Sequence, residues 1–491
     1  MTDLKTVKPS VAVLSEDQIK EIYHQALRVL EESGVYFEDD LACAILRENG
    51  ASHKGGNVIS IPRKLVDDAL MVTPESLVLY SRDGEATVFL EGDNSYFNTG
   101  GAAIKQMESD GLTARPTTAK DLVDMARLVE GLAHVALQST ALVPSDVPTE
   151  ISDSYRVYLL LKHSRKPMLA GAFSPIGIGH IHRLLAAAVG GDAELSARPR
   201  AVIDVCPSAP LKWSRLACNN IVDCARLRLP IEFISVPMPG ACSSATLSGS
   251  VVVHTAELLS GIALAQAVSN NTPVIYGGAP MYFDMRSMST CLSALEASMI
   301  IMAYAQIGKF LKLPVHAYGL LSDAKANDFQ AGMEDATSGL LAGLAGVNII
   351  SGVGMLEFAR ITSMEKIVMD NDVAGMIIRL KRGIDVNEET LATDLIISHG
   401  PGGDYMGTRH TLKWFKNEPY LPSEVIDRSM PKGEVSRDAG GIQKRAATMV
   451  KRILDAQPLE MEFENRRALD LTMAGIMEKY SIKSLPGFNR G

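Results

Sequence analysis

The stretch PVHAYGLLSDAKANDFQAGMEDATSGLLAGLAGVNIISGVG, residues 314–354, decides how the whole chain is read. PVHAYG has the length of a strand, opens on Pro314 and stops at Gly319. Its alternation sets His316 and Tyr318 on one face and Val315 and Ala317 on the other. A strand inside a parallel sheet is normally apolar on both faces, so an imidazole and a phenol near its C-terminal end need a reason. The polar loop 320–328 carries Ser322, Asp323, Lys325 and Asp328 and opens a helix rich in small residues, among them Ala331, Gly332, Ala336 and Gly339. VNIISG then reads as a second buried strand. This is a strand–loop–helix–strand unit with its polar chemistry where α/β folds place their sites, at the C-terminal end of a strand.

The same alternation extends in both directions. Candidate strands lie at 135–143, 167–173, 200–206, 231–236, 273–278, 314–319, 347–352 and 394–399. Helical spans separate them at 150–165, 176–189, 212–228, 250–269, 288–311, 327–345 and 364–383, and a capped helix over 117–132 leads in. Eight strands alternating with helices predict a (β/α)8 barrel of the α/β class over residues 116–430, with an open doubly wound sheet as the alternative. Residues 1–115 are expected to be an N-terminal elaboration, helical and then β. It starts with an amphipathic helix over 15–33, capped by Ser15 with Gln18 three residues on and ended by Gly34. A short helix near 39–48 follows, and then a hairpin of 77–82 with 86–91 around Asp83-Gly84. A helix near 407–417 follows the last candidate strand. Residues 431–491 are expected to be a C-terminal helical extension, with helices near 434–456 and 459–479.

The bulk numbers suit a globular protein: 491 residues, 46% hydrophobic and 21% charged. The formal charge is −9 and no basic block occurs, which argues against a nucleic-acid partner. The six cysteines form no CxxC and read as small apolar residues in a reducing cytoplasm. The first twenty residues are polar and do not read as a signal peptide. Two uncharged runs, 258–283 and 336–356, are long enough to raise a membrane question. Each divides into a helix followed by a strand, so no membrane span is expected.

The polar residues near the predicted strand ends are Asp204, Cys206, Ser235, Tyr276, Tyr282, His316, Tyr318, Asn348, Ser351 and His399. His316 with Tyr318 is the leading pair; the plainer alternative is a buried histidine bonded to a neighbouring strand. The turn HGPGGDY over 399–405 lacks GxxxxGK[ST], and GVGMLE over 352–357 is not GxGxxG, so neither is read as a nucleotide loop. His399 and His410 lack a third ligand, and no directly bound metal is expected. Asp323, Asp328 and Glu334 read as a solvated loop and a helix start, or, if they face the mouth, as partners for a cation. Tyr96, Phe97, Tyr282, Phe283, Tyr318 and Tyr405 could enclose a quaternary ammonium by cation–π attraction, although ordinary packing is the plainer account. Taken from the residues alone, the chain is a barrel with a polar mouth and no named reaction.

Several motifs, in order along nearly the whole chain, resemble one known family. They are YFNTGGAA (96–103), SDAKANDFQAGMEDA (322–336), LAGVNIISGVGMLE (344–357), MDNDVAGMIIR (369–379) and HGPGGDYMGTRHTL (399–412). They resemble the trimethylamine methyltransferase family, corrinoid-protein-dependent enzymes with (β/α)8 barrels. Its archaeal trimethylamine enzymes carry pyrrolysine, at a position that aligns near 325–335. Here that region holds standard residues, with Gly332 the closest occupant and no pyrrolysine. The chain therefore resembles the branch that demethylates quaternary amines. The resemblance implies transfer of a methyl group from such an amine to cob(I)alamin, with glycine betaine foremost and proline betaine or carnitine as further choices. No DxHxxG pattern occurs in the chain, so the cobalamin is expected on a separate cognate corrinoid protein.

With that resemblance, His316, Tyr318 and Gly332 are expected to position the substrate. The surrounding contacts are expected from Tyr96, Phe97, Tyr282, Arg286, Asp328, Gln330 and Glu334. Arg286 and His316 are the candidates for gripping a betaine carboxylate. His399, Gly402, Gly403, Asp404 and Tyr405 are expected to face the corrinoid partner. A cytoplasmic homo-oligomer is the expected setting. Two other readings are a non-catalytic amine-binding barrel and a corrinoid-independent lyase, which would need His316 or His399 as a base.

Overall fold

Short apolar runs, each followed by a helix of complementary length, build the body of the molecule. The computed structural model describes residues 6–430, 441–457 and 459–488. Numbered within the barrel, the strands are β1 Tyr96–Asn98, β2 Val135–Ser139, β3 Met168–Gly171, β4 Ala201–Val205, β5 Ile231–Ser235, β6 Val274–Gly278, β7 Val315–Tyr318 and β8 Ile349–Ser351. The helices that follow them in turn are α1 Ala119–Glu130, α2 Ser152–His163, α3 Gly177–Val189, α4 Arg215–Leu227, α5 Leu247–Val268, α6 Leu295–Phe310, α7 Phe329–Leu344 and α8 Met364–Lys381. All the strands pair in parallel, neighbour to neighbour in chain order, and β8 returns to β1. The barrel is closed, as the alternation of strands and helices predicts.

One strand differs from the expectation. DLIISH at 394–399 lies in the helix Thr393–His399, and the remaining strand is β1, from the stretch assigned to the N-terminal elaboration. Tyr96–Asn98 fills the gap between β8 and β2, so no open edge is left for DLIISH to pair with. Tyr96–Asn98 sits between polar residues, Asp93, Asn94 and Ser95 before it and Thr99 after, so no apolar run marks it as a strand.

The barrel has one closed end and one open end. The expected hairpin forms from Leu77–Tyr80 and Ala86–Leu90. Its Leu77, Leu79, Val88 and Leu90 pack on Leu137, Leu169, Val202, Ile275 and Ile349, the lowest inward-facing layer of the strands. Ahead of it, the helix Glu16–Arg28 carries the expected capping box of Ser15 and Gln18. Its apolar side, Ile19, Ile22, Tyr23, Ala26 and Leu27, is buried. The C-terminal helices are Gly441–Asp455 and Phe463–Lys479; residues 434–440 of the expected span lie outside the described residues. Among the described residues one helix, α5, is long and apolar enough to cross a membrane, and 78% of its apolar window is buried inside the fold.

A buried ion cluster ties the last two helices to the rim of the barrel. Lys366 on α8 lies 2.8 Å from Asp335 on α7 and 2.7 Å from Asp370. Asp370 also accepts a hydrogen bond of 2.7 Å from the backbone N–H of Gly354, in the loop after β8. Lys366→Met leaves two buried carboxylates facing each other without their cation. The expected loss is about 3–5 kcal/mol of stability, read as a lowered midpoint in thermal or denaturant unfolding.

Candidate active site at the barrel mouth

The inward face of the strands turns polar one layer above the hairpin plug. Asp204 on β4, Glu232 on β5, His316 on β7 and Ser351 on β8 meet there. Asp204 and Glu232 are direct register partners and share a hydrogen bond between their carboxyl groups. Glu232 Oε1 lies 2.6 Å from His316 Nδ1, and His316 Nε2 lies 2.7 Å from Ser351 Oγ. β6 runs between the strands of Glu232 and His316, and its inward residue at this level is Gly277. A Cβ there would stand 3.0 Å from His316 Nδ1 and 2.8 Å from the carbonyl of Phe233. The missing side chain is what allows a glutamate and a histidine two strands apart to touch.

Burial sets the protonation of this layer. His316 and Glu232 are 1% and 0% exposed. Desolvation holds the imidazole neutral, lowering its pKa to about 4. The same cause raises Glu232 to about 8 and lifts Asp204 well above the carboxylate range, the Glu232 charge adding to the effect on Asp204. Two carboxyl groups in contact keep a proton between them at neutral pH.

Above the layer, the loops after the strands enclose a cavity of about 340 Å³. Asp204 of β4, Cys206 just after it, Tyr318 of β7, Phe173 after β3 and Arg156 from α2 line it. The Tyr318 ring stands edge-on to His316 at 5.4 Å, and its hydroxyl accepts a hydrogen bond of 3.1 Å from Gly101 N–H. Gly101 belongs to the GG pair of YFNTGG, which β1 carries straight to the rim. Phe358 completes the wall opposite, under the ammonium of Lys325 at 4.5 Å. Glu357, Phe358 and Ala359 all adopt positive φ, a run that side chains disfavour and that sits at the cavity edge.

His316 and Tyr318 are thus brought together at the mouth, the histidine as a buried member of the polar layer and the tyrosine in the cavity wall. The other expected contacts lie elsewhere. Tyr96 is at the plugged end, where its hydroxyl accepts from Phe89 N–H, and Phe97 is fully buried among the helices. Tyr282 is in the hairpin Tyr282–Asp284 with Ser289–Cys291, near the mouth but outside the cavity lining. Arg286, at the tip of that hairpin, is 91% exposed and pairs with Asp284 at 2.8 Å. Asp328 caps α7, Gln330 bonds Glu334, and Glu334 accepts from Ser322 Oγ and Asp323 N–H to hold the loop. Gly332 faces outward on α7 with open space around it.

His399, Gly402, Gly403, Asp404 and Tyr405 lie in a mostly exposed segment after α8, with His399 stacked on Tyr405. The end of α8 is anchored at the closed end of the barrel, where Lys381 reaches Asp93 and Ser95 just ahead of β1. The residues missed from the sequence are Glu232 and Arg156. A glutamate inside the apolar run IEFIS was a visible signal. Arg156 carried none, because its helix reads as an ordinary packing helix.

A closed (β/α)8 barrel with a polar cavity at its C-terminal mouth is an enzyme architecture. Residues 1–474 match the family described as trimethylamine methyltransferase (MTTB). A curated glycine betaine methyltransferase of Desulfitobacterium hafniense (strain Y51) is 32% identical over 423 residues, covering 86% of this chain and 88% of that protein. The trimethylamine methyltransferase MttB of D. hafniense (strain DSM 10664 / DCB-2) is 30% identical over 437 residues, with 89% and 88% coverage. That of Methanosarcina barkeri is 32% identical over 430 residues, with 85% of each covered. The crystal structure of the M. barkeri monomethylamine methyltransferase MtmB superposes with a TM-score of 0.53 over 96% of this chain and 88% of its own, at 12% identity. The chain belongs to the trimethylamine methyltransferase family and is a methyltransferase.

The shared proton has a measurable consequence. Between about pH 4.5 and 8 the native state keeps a proton that an unfolded glutamate releases, so this group's contribution to stability falls as pH rises through that window. Glu232→Gln removes the titration. The fall in melting temperature between roughly pH 5 and 8 is expected to be shallower in the variant than in the wild type. Calorimetry across that range checks it, and an unchanged slope places the proton elsewhere.

Proposed function

We propose that the chain moves a methyl group from a quaternary amine, glycine betaine first, to cob(I)alamin carried on a separate corrinoid protein. The observation that carries this reading is the buried acid pair facing an aromatic-edged cavity at the open end of the barrel, in a chain of this family. A protonated carboxyl group on Asp204 and the phenol of Tyr318 suit a large, weakly hydrated cation. They hold it gently, which the chemistry requires. As the methyl group leaves, the C–N electron pair stays on nitrogen and the positive charge there disappears. Strong ground-state binding of that charge would therefore raise the barrier. The amine departs neutral, so no general acid is needed in the step. The residues act by aligning one methyl group toward the opening and excluding other orientations.

The partner's approach is supported by exposed apolar side chains in the segments that follow the strands, Leu112, Phe173, Met285 and Met288, and by Phe329 at the start of α7. A homo-oligomer is proposed on separate grounds, the exposed Ile396, Ile397, Met406, Leu412 and Phe415 of the segment after α8. A cytoplasmic setting is proposed from the six free cysteines. The absence of pyrrolysine belongs to the same reading, because a quaternary nitrogen already carries a good leaving group.

The decisive experiment follows the cob(I)alamin spectrum anaerobically with glycine betaine, proline betaine, carnitine, choline and trimethylamine. Methylcobalamin is expected with glycine betaine and not with trimethylamine. Binding without conversion of any amine would support a non-catalytic binding barrel, and turnover of trimethylamine would overturn the substrate class.

A further inference from the structure

Arg156 is a cation out of place. Its side chain is on α2, 1% exposed, yet its guanidinium lines the mouth cavity. Nη1 donates to the Thr140 carbonyl at 2.8 Å, while Nε has no partner. Among the described residues Arg156 makes no ion pair. The nearby acids are committed elsewhere: Asp153 accepts from Phe173 N–H and from Ser174, and Asp204 bonds Glu232. The ring of Phe173 covers the guanidinium at 5.4 Å and shields it from water. A buried guanidinium with free donors is unfavourable unless an anion completes it. A carboxylate fits, because its two oxygens match the fork of donors.

We propose that Arg156 is the specificity-determining residue of the cavity and binds the carboxylate of a zwitterionic substrate. This rests on the quaternary-amine reading and narrows it to betaines that carry a carboxylate. The cavity then has two ends of opposite demand. Arg156 takes the anionic group, and the Asp204–Tyr318 side receives the ammonium. The carboxylate end keeps its charge throughout the reaction, so it can be held firmly without penalty in the transition state. Choline, with the same trimethylammonium group and a hydroxyl in place of the carboxylate, lacks the partner that Arg156 requires.

Titration calorimetry with glycine betaine and choline tests this on the full chain and on Arg156→Gln and Arg156→Lys. The wild type is expected to bind glycine betaine at least about tenfold more tightly than choline. In Arg156→Gln, glycine betaine should weaken by about ten- to a hundredfold, with choline changed by less than about twofold. Arg156→Lys, which keeps the charge and can keep the Thr140 bond, should recover part of the loss. It also provides the comparison if the glutamine variant folds poorly. Equal weakening of both ligands, or no weakening of glycine betaine, overturns the assignment of Arg156 and leaves the quaternary-amine reading standing. Failure of both amines to bind the wild type overturns that reading, and the assignment falls with it.

Discussion

Tyr96–Asn98 pairs with Ile349–Ser351 on one side and with β2 on the other, and this double pairing closes the barrel. Everything at the mouth depends on the closure. It delivers Gly100 and Gly101 to the rim, where a Cβ on Gly100 would stand 2.9 Å from the backbone nitrogen of Gly352. The chains after β1 and β8 therefore cross at near-contact distance. Gly101 can then offer its N–H to Tyr318, which fixes the phenol against His316. An open sheet would leave Tyr318 without that donor and the polar layer without a wall.

The polar layer is expensive to bury. Ionised carboxyl groups in so dry a place would each cost several kcal/mol, so the pair keeps a proton and the imidazole stays neutral. His316 Nε2 hydrogen-bonds Ser351 at 2.7 Å and Nδ1 lies 2.6 Å from Glu232, across strands that the side-chain-free Gly277 lets converge. Such a layer fixes orientation better than an apolar core could, because every hydrogen bond has a direction. The retained proton and the neutral imidazole also serve the proposed chemistry, which needs a surface that tolerates a cation without gripping it.

Seven of the eight barrel strands and all eight helices were legible in the sequence, because each helix is long and each of those strands is bounded by turn residues. The remaining strand was not. DLIISH has the composition of a strand, but tertiary closure had already used the only available edge. At the site, His316 and Tyr318 stood out because polar groups on a central strand violate its expected pattern. Glu232 violates the same pattern and could have been found by the same reasoning. The aromatic residues misled for the opposite reason. Tyr96 and Phe97 look like loop rings only when their strand is missed; in place Phe97 is core and Tyr96 packs half-buried against the hairpin plug. Arg286 had charge and a nearby loop in its favour, but an exposed guanidinium beside Asp284 is already satisfied.

Arg156 shows what no linear pattern contains. On α2 ten of the twelve residues are buried, so its periodicity is weak and a charged residue within it has no assigned face. Only the three-dimensional accounting of donors separates it from Arg82, which is also buried but donates to carbonyls of Leu161 and Glu460 and contacts Asp83. A satisfied buried arginine holds a fold together. One with free donors beside a cavity raises the free energy of the empty site and lowers it when an anion arrives. That difference is binding energy set aside for a substrate, and it is placed away from the reacting nitrogen, where it can be used without opposing the loss of charge.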